Sequence, residues 1–153
     1  MRIKKLTVSL VALFVLLSGV CFAQDFKLKD LKGQEVTLTS FKNQKPVLLL
    51  FWTTWCPYCR QALLDVNGKY PETSKGGLEI LAINIGESRE KVEKFVQLRD
   101  LKYPVLLDQQ QTVVGSFMVY GIPAYIIIDK EGNIAARDNR YPDEQIKKIL
   151  GVK

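Results

Sequence analysis

Histidine is absent from all 153 residues, and cysteine occurs only three times. Without an imidazole to move the proton, Ser-His-Asp and Cys-His catalysis are both excluded. A structural zinc site normally takes four Cys or His ligands, so no metal site is expected and no cofactor is assigned. No Lys/Arg cluster interleaves with aromatic residues, which removes nucleic acid from the expected partners. The formal charge of +6 does not point to an acidic partner either. Three of the 22 Lys and Arg fall in the first 23 residues and none of the 16 Asp and Glu do, so the remainder carries 19 against 16. Internal repeats, low-complexity stretches and a second-domain linker are missing too. What remains fits one compact domain, since 47% hydrophobic positions in a chain of this length build a single core.

The N-terminus is a separate unit. A basic start at Arg2, Lys4 and Lys5 precedes an uncharged stretch over residues 6–23 that ends in Cys21-Phe22-Ala23. This is the pattern of an export signal cleaved after Ala23. The stretch is 18 residues long, about the lower limit for spanning a bilayer, so a retained anchor is the alternative. Lipidation of Cys21 is a third reading, opposed by bulky Val20 where a small residue is needed. All three place residues 24–153 outside the cytoplasm, because positive charge flanks only the N-terminal side. For a bacterial chain that means the periplasm or its equivalent.

Hydrophobic patterning then sets the elements. Phe26 to Leu28 and Val36 to Leu38 alternate around Gly33 as an N-terminal hairpin. The unbroken run Val47-Leu48-Leu49-Leu50-Phe51-Trp52 is a central strand covered on both faces. A helix follows from Pro57, with Ala62, Leu63, Val66 and Tyr70 facing the core, and Pro71 with Gly76-Gly77 should end it. Residues 78–85 form a second buried strand, and Ser88 caps a helix whose apolar face is Val92, Phe95 and Val96. Val105-Leu106-Leu107 is a short strand, and residues 110–117 a short helix. Tyr125-Ile126-Ile127-Ile128 pairs with Ile134-Ala135-Ala136 across a turn, and a C-terminal helix starts at Pro142. The class is α/β, a mixed central sheet with helices on both faces.

Cys56-Pro57-Tyr58-Cys59 sits where the central strand passes into its helix. There the first sulfur meets unpaired N–H groups at the positive end of the helix dipole, which favours its thiolate and makes Cys56 the nucleophile. One turn later, Cys59 is placed to attack a mixed disulfide on Cys56 and release the partner, so it is the resolving thiol. Pro57 stiffens the turn, and Tyr58 offers an aromatic surface beside the sulfur. A structural staple is the competing reading, but a bridge closing so short a loop gains little chain entropy.

The segment Phe51-Trp52-Thr53-Thr54-Trp55-Cys56-Pro57-Tyr58-Cys59-Arg60 resembles the active-site segment of the thioredoxin superfamily, especially its exported TlpA/ResA-type branch. Val119-Tyr120-Gly121-Ile122-Pro123-Ala124 is similar to the family's cis-proline segment, the following strand and turn resemble theirs, and residues 95–108 fit the family's insertion. The resemblance covers residues 24–153 and implies a thioredoxin-like fold. It implies that Pro123 is cis and lies against Cys56, that the Ile122 backbone pairs with an extended substrate segment, and that Trp55 faces the partner while Trp52 packs in the core. The implied partners are exported protein thiols or disulfides, apocytochromes awaiting haem among them, with a membrane-embedded thiol as electron donor. Two departures stand out. Relatives often carry a polar or acidic residue where this chain has Leu50, and a glutamate where it has Ala62, so neither position can accept the Cys59 proton. The family's proline five residues after the second cysteine is replaced by Leu64.

The leading functional expectation is exchange or reduction of exported protein disulfides. The alternatives are a dithiol oxidant that inserts disulfides, a peroxidase suggested by Thr53 three residues before Cys56, and a redox-inert binding module.

Overall fold

The computed structural model describes residues 23–152. Except for Ala23, the export signal or anchor expected over residues 1–23 lies outside the described residues, Cys21 included. Seven strands form one mixed sheet: β1 (Lys27–Asp30), β2 (Glu35–Thr37), β3 (Val47–Trp52), β4 (Glu79–Ile85), β5 (Val105–Asp108), β6 (Ala124–Ile128) and β7 (Ile134–Asp138). Their order is β2-β1-β5-β4-β3-β6-β7. β3, β4 and β5 run parallel, while the two hairpins at the edges pair antiparallel, β1 on β5 and β6 on β3.

All six residues of β3 are buried because both faces of the strand are covered. Leu48, Leu50 and Trp52 join one apolar cluster with Leu63 and Val66 of α1 (Pro57–Lys75), Val92 of α2 (Arg89–Arg99) and Ile146 of α4 (Asp143–Leu150). Val47, Leu49 and Phe51 join the other, with Phe26, Leu38, Phe117 and Val113 of α3 (Thr112–Ser116). The continuous apolar run is therefore the signature of a strand sandwiched between two layers.

One helix ends at Gly76 as expected but is not broken by Pro71. α1 continues through Pro71 to Lys75, and Gly76 is its cap. Proline removes a donor to the Asn67 carbonyl, yet the last turn is held by other groups. The Thr73 hydroxyl donates to the carbonyls of Lys69 and Tyr70 at 3.0 and 3.2 Å. Gly76 N–H donates to the Glu72 carbonyl at 2.9 Å, and the Tyr70 ring meets Tyr103 edge-on at 5.7 Å. Tertiary packing overrides the local cost.

Candidate active site

β3 and β4 are parallel neighbours, so the loops that leave them emerge at the same edge of the sheet. Ligand and catalytic groups gather at such carboxyl ends in open α/β sheets. The loop after β3 is Thr53-Thr54-Trp55, leading into Cys56, which caps the N-terminus of α1 with Pro57 in its first turn. Cys59 N–H donates to Cys56 Sγ at 3.1 Å, and Arg60 N–H to the Cys56 carbonyl at 3.2 Å. The Cys56 sulfur thus lies at the N-terminal end of a 19-residue helix.

Both cysteines are free thiols, but their settings differ. Cys59 has no exposed surface and lies among Leu50, Trp52, Ala62 and Leu63. Burial, reinforced by the adjacent Cys56 sulfur, pushes its thiol from an ordinary 9.0 up to about 12, although the Thr53 backbone pulls the other way. Leu50 and Ala62 are themselves buried in the same cluster, so no carboxylate stands at either position beneath the pair.

Opposite the helix, the Ile122–Pro123 peptide is cis and the Ile122 carbonyl oxygen lies 3.9 Å from Cys56 Sγ. The residues around the sulfur divide sharply by exposure. Trp52 is fully buried, whereas Trp55 is 63% and Tyr58 78% exposed. Met118 and Tyr120, on the loop leading to Ile122, are exposed as well. The structure thus brings Trp55, Cys56, Pro57, Tyr58, Cys59, Ile122 and Pro123 to one end of the sheet.

A polar clamp behind the site escapes the sequence reading. Glu87, in the loop after β4, accepts from Thr54 N–H at 2.7 Å, the Thr54 hydroxyl at 2.6 Å and Asn84 Nδ2 at 2.8 Å, and it pairs with Lys91 at 2.6 Å. Burial raises the Glu87 carboxyl, but the hydrogen bonds from Lys91, Thr54 and Asn84 outweigh it and hold the group below its ordinary 4.5. Arg60 Nε donates to the Thr54 carbonyl at 3.2 Å, completing the grip on the loop two residues before Cys56. The available signal was topological: an acidic residue just past a buried strand that runs parallel to the one bearing the cysteines.

Among the described residues, no group of three or more His, Cys, Asp or Glu side chains could hold a metal ion. What the site presents is a capped sulfur at a helix N-terminus, a second sulfur kept protonated by burial, and an exposed apolar rim.

Comparison with known proteins agrees with this geometry. The thiol-disulfide oxidoreductase ResA of Geobacillus thermodenitrificans is 41% identical over 112 residues, 73% of this chain and 64% of that protein. The ResA of Bacillus thuringiensis subsp. konkukian is 33% identical over 132 residues, 83% of this chain and 76% of the relative. The match spans 64% of the length of both Geobacillus relatives, slightly under two thirds. A Chlorobium tepidum protein provisionally described as the thiol:disulfide interchange protein DsbE superimposes with a TM-score of 0.79 at 25% identity, covering 86% of this chain and 96% of that one. The thioredoxin domain of a thiol-disulfide oxidoreductase from Bacteroides vulgatus gives 0.75 at 26% identity, covering 86% and 95%. The fold is thioredoxin-like, and with residues 21–137 matching the AhpC/TSA family, the chain belongs to that family.

Proposed function

We propose that this chain is an extracytoplasmic thiol–disulfide oxidoreductase that exchanges or reduces disulfides of exported proteins. The observation that carries the reading is the pair of settings: Cys56 accepts an N–H at the helix N-terminus, and Cys59 is buried one turn behind it. The Cys56 thiolate attacks one sulfur of a partner disulfide, forming a mixed disulfide and releasing the other partner sulfur as a thiolate that takes up a proton. Cys59 then loses its proton and attacks Cys56 Sγ, which forms the Cys56–Cys59 disulfide and frees the second partner thiol. Two electrons pass from the dithiol to the partner. A thiol donor in the membrane returns the pair to its reduced state.

Trp55, Pro57 and Tyr58 form the surface on which the partner rests, and the Ile122 backbone beside Pro123 takes its extended segment. Residues 1–23 export the domain or tether it. Apocytochromes awaiting haem are the substrate class that the resemblance suggests, and the names of the ResA relatives support the oxidoreductase activity.

The test is a pair of substitutions. Cys56→Ser abolishes reduction of insulin disulfides, whereas Cys59→Ser accumulates mixed disulfides that survive non-reducing electrophoresis. Full insulin reduction by Cys56→Ser would overturn the assignment.

A further inference from the structure

On the α2 side of the reactive pair, Thr54, Arg60, Lys91, Lys94, Phe95, Leu98 and Arg99 enclose a groove of about 300 Å³. Phe95 packs its ring on Trp52 at 5.3 Å and lies under the Arg99 guanidinium at 4.9 Å. Four of its seven lining residues are basic and none is acidic. Lys91 is neutralised by buried Glu87. Arg60, Lys94 and Arg99 form no ion pair among the described residues. Of the carboxylates nearest in sequence, Glu90 and Glu93 do not line the groove, and Asp100 is paired with Lys102 at 2.6 Å. Leu98 is 78% exposed at the rim, an apolar side chain with no cover.

Two of the lining residues flank the reactive pair in sequence. Arg60 follows Cys59 on α1 and holds the carbonyl of Thr54, two residues before Cys56. A cluster of cations attracts opposite charge and rejects like charge, which sets both encounter rate and partner choice.

We infer that this groove docks an acidic segment of the partner protein, one with Asp or Glu and an apolar side chain flanking its reacting cysteine. The inference rests on the oxidoreductase reading and adds the chemistry of the substrate. The partner's carboxylates sit against Arg60, Lys94 and Arg99, and its apolar residue covers Leu98 and Phe95. Its place beside Thr54, two residues before Cys56, and Arg60, next to Cys59, suits a segment of the protein whose disulfide the reactive pair engages.

Three disulfide-linked peptide dimers test this, identical except that the single cysteine is flanked by glutamates, glutamines or lysines, each with one leucine. Their rates of reduction by the full reduced chain are compared at low and high salt. Wild type should reduce the glutamate peptide at least ~10-fold faster than the lysine peptide at low ionic strength, with the preference fading in about 0.5 M salt. Lys94 is exposed and unpaired, so Lys94→Glu should keep the fold and reduce that ratio several-fold. Because the same peptides are used with both proteins, their intrinsic reactivities cancel. An unchanged ratio in Lys94→Glu overturns the docking surface while leaving the oxidoreductase reading standing. Reduction of none of the three peptides overturns the oxidoreductase reading itself. Lys94-dependent sedimentation with phosphatidylglycerol vesicles, combined with no peptide preference, assigns the groove to anionic lipid and also overturns the inference.

Discussion

At the scale of single residues, the two sulfurs differ in their surroundings: Cys56 Sγ accepts the Cys59 N–H at the helix N-terminus, and Cys59 has no exposed surface. With its thiol held near 12, Cys59 is a thiolate in only a tiny fraction of molecules at neutral pH, and that fraction grows tenfold with each pH unit. Burial, the largest cause of that shift, persists when Cys56 is held in a mixed disulfide, so resolution should accelerate about tenfold per unit between pH 7 and 9, read by rapid mixing. A plateau in that range would mean that a nearby base removes the proton. Ala62→Glu places a carboxylate one turn beyond Cys59, in the buried cluster where its own affinity for the proton is raised. The folded variant should resolve mixed disulfides about 10-fold faster at pH 7. Unchanged resolution, with the carboxylate beside Cys59, would show that proton removal is not limiting.

At the scale of elements, the loops after β3 and β4 are bound to each other through Glu87 rather than through apolar contact. A Glu87→Gln change keeps the shape but loses the charge that serves Thr54, Asn84 and Lys91. Hydrogen bonds to charged groups contribute about 2 kcal/mol each, so denaturant unfolding at pH 7 should show a loss of about 2 kcal/mol. The Glu87 carboxyl titrates below 4.5 in the folded chain, so its contribution is present above 4.5 and lost as pH falls through the folded value. The gap between wild type and variant should consequently narrow in acid. A gap equal at pH 7 and pH 3 would contradict the ionised clamp.

At the scale of the whole molecule, the N-terminal end and the cysteine pair lie at opposite ends of the sheet. Ala23, where the described residues begin, donates its N–H to the Gly132 carbonyl at 2.9 Å in the turn between β6 and β7. Val47 and Ile128 line a cavity with it at that end, and Cys56 lies beyond the other end of β3. Six strand residues separate the two ends by about 20 Å. A carrier domain fused ahead of Ala23 should leave insulin reduction within about twofold, since it attaches away from Cys56. A large loss would place the N-terminal end near the site. The direction of electron flow is likewise a property of the whole redox couple. A reductive role expects a potential near the thioredoxin value of about −270 mV, not near the DsbA value of about −120 mV.

Much of this was legible without coordinates, because β3 declares itself by an apolar run and the next helix by Pro57 and the spacing of Ala62, Leu63 and Val66. Local chemistry of that kind is written in neighbouring residues, as are the Cys56–Cys59 spacing and the turn around Gly33. The path of α1 through Pro71 was not legible, because the groups holding its last turn include Tyr103, distant in sequence. Glu87 under Thr54 and the basic groove between α1 and α2 are of the same sort. The amino-acid sequence determined which chemistry the chain carries, a dithiol with no histidine and no carboxylate at positions 50 and 62 to assist it. Only the tertiary structure decided which side chains surround that dithiol, because parallel strands bring together loops 33 residues apart and electrostatics acts through space rather than along the chain.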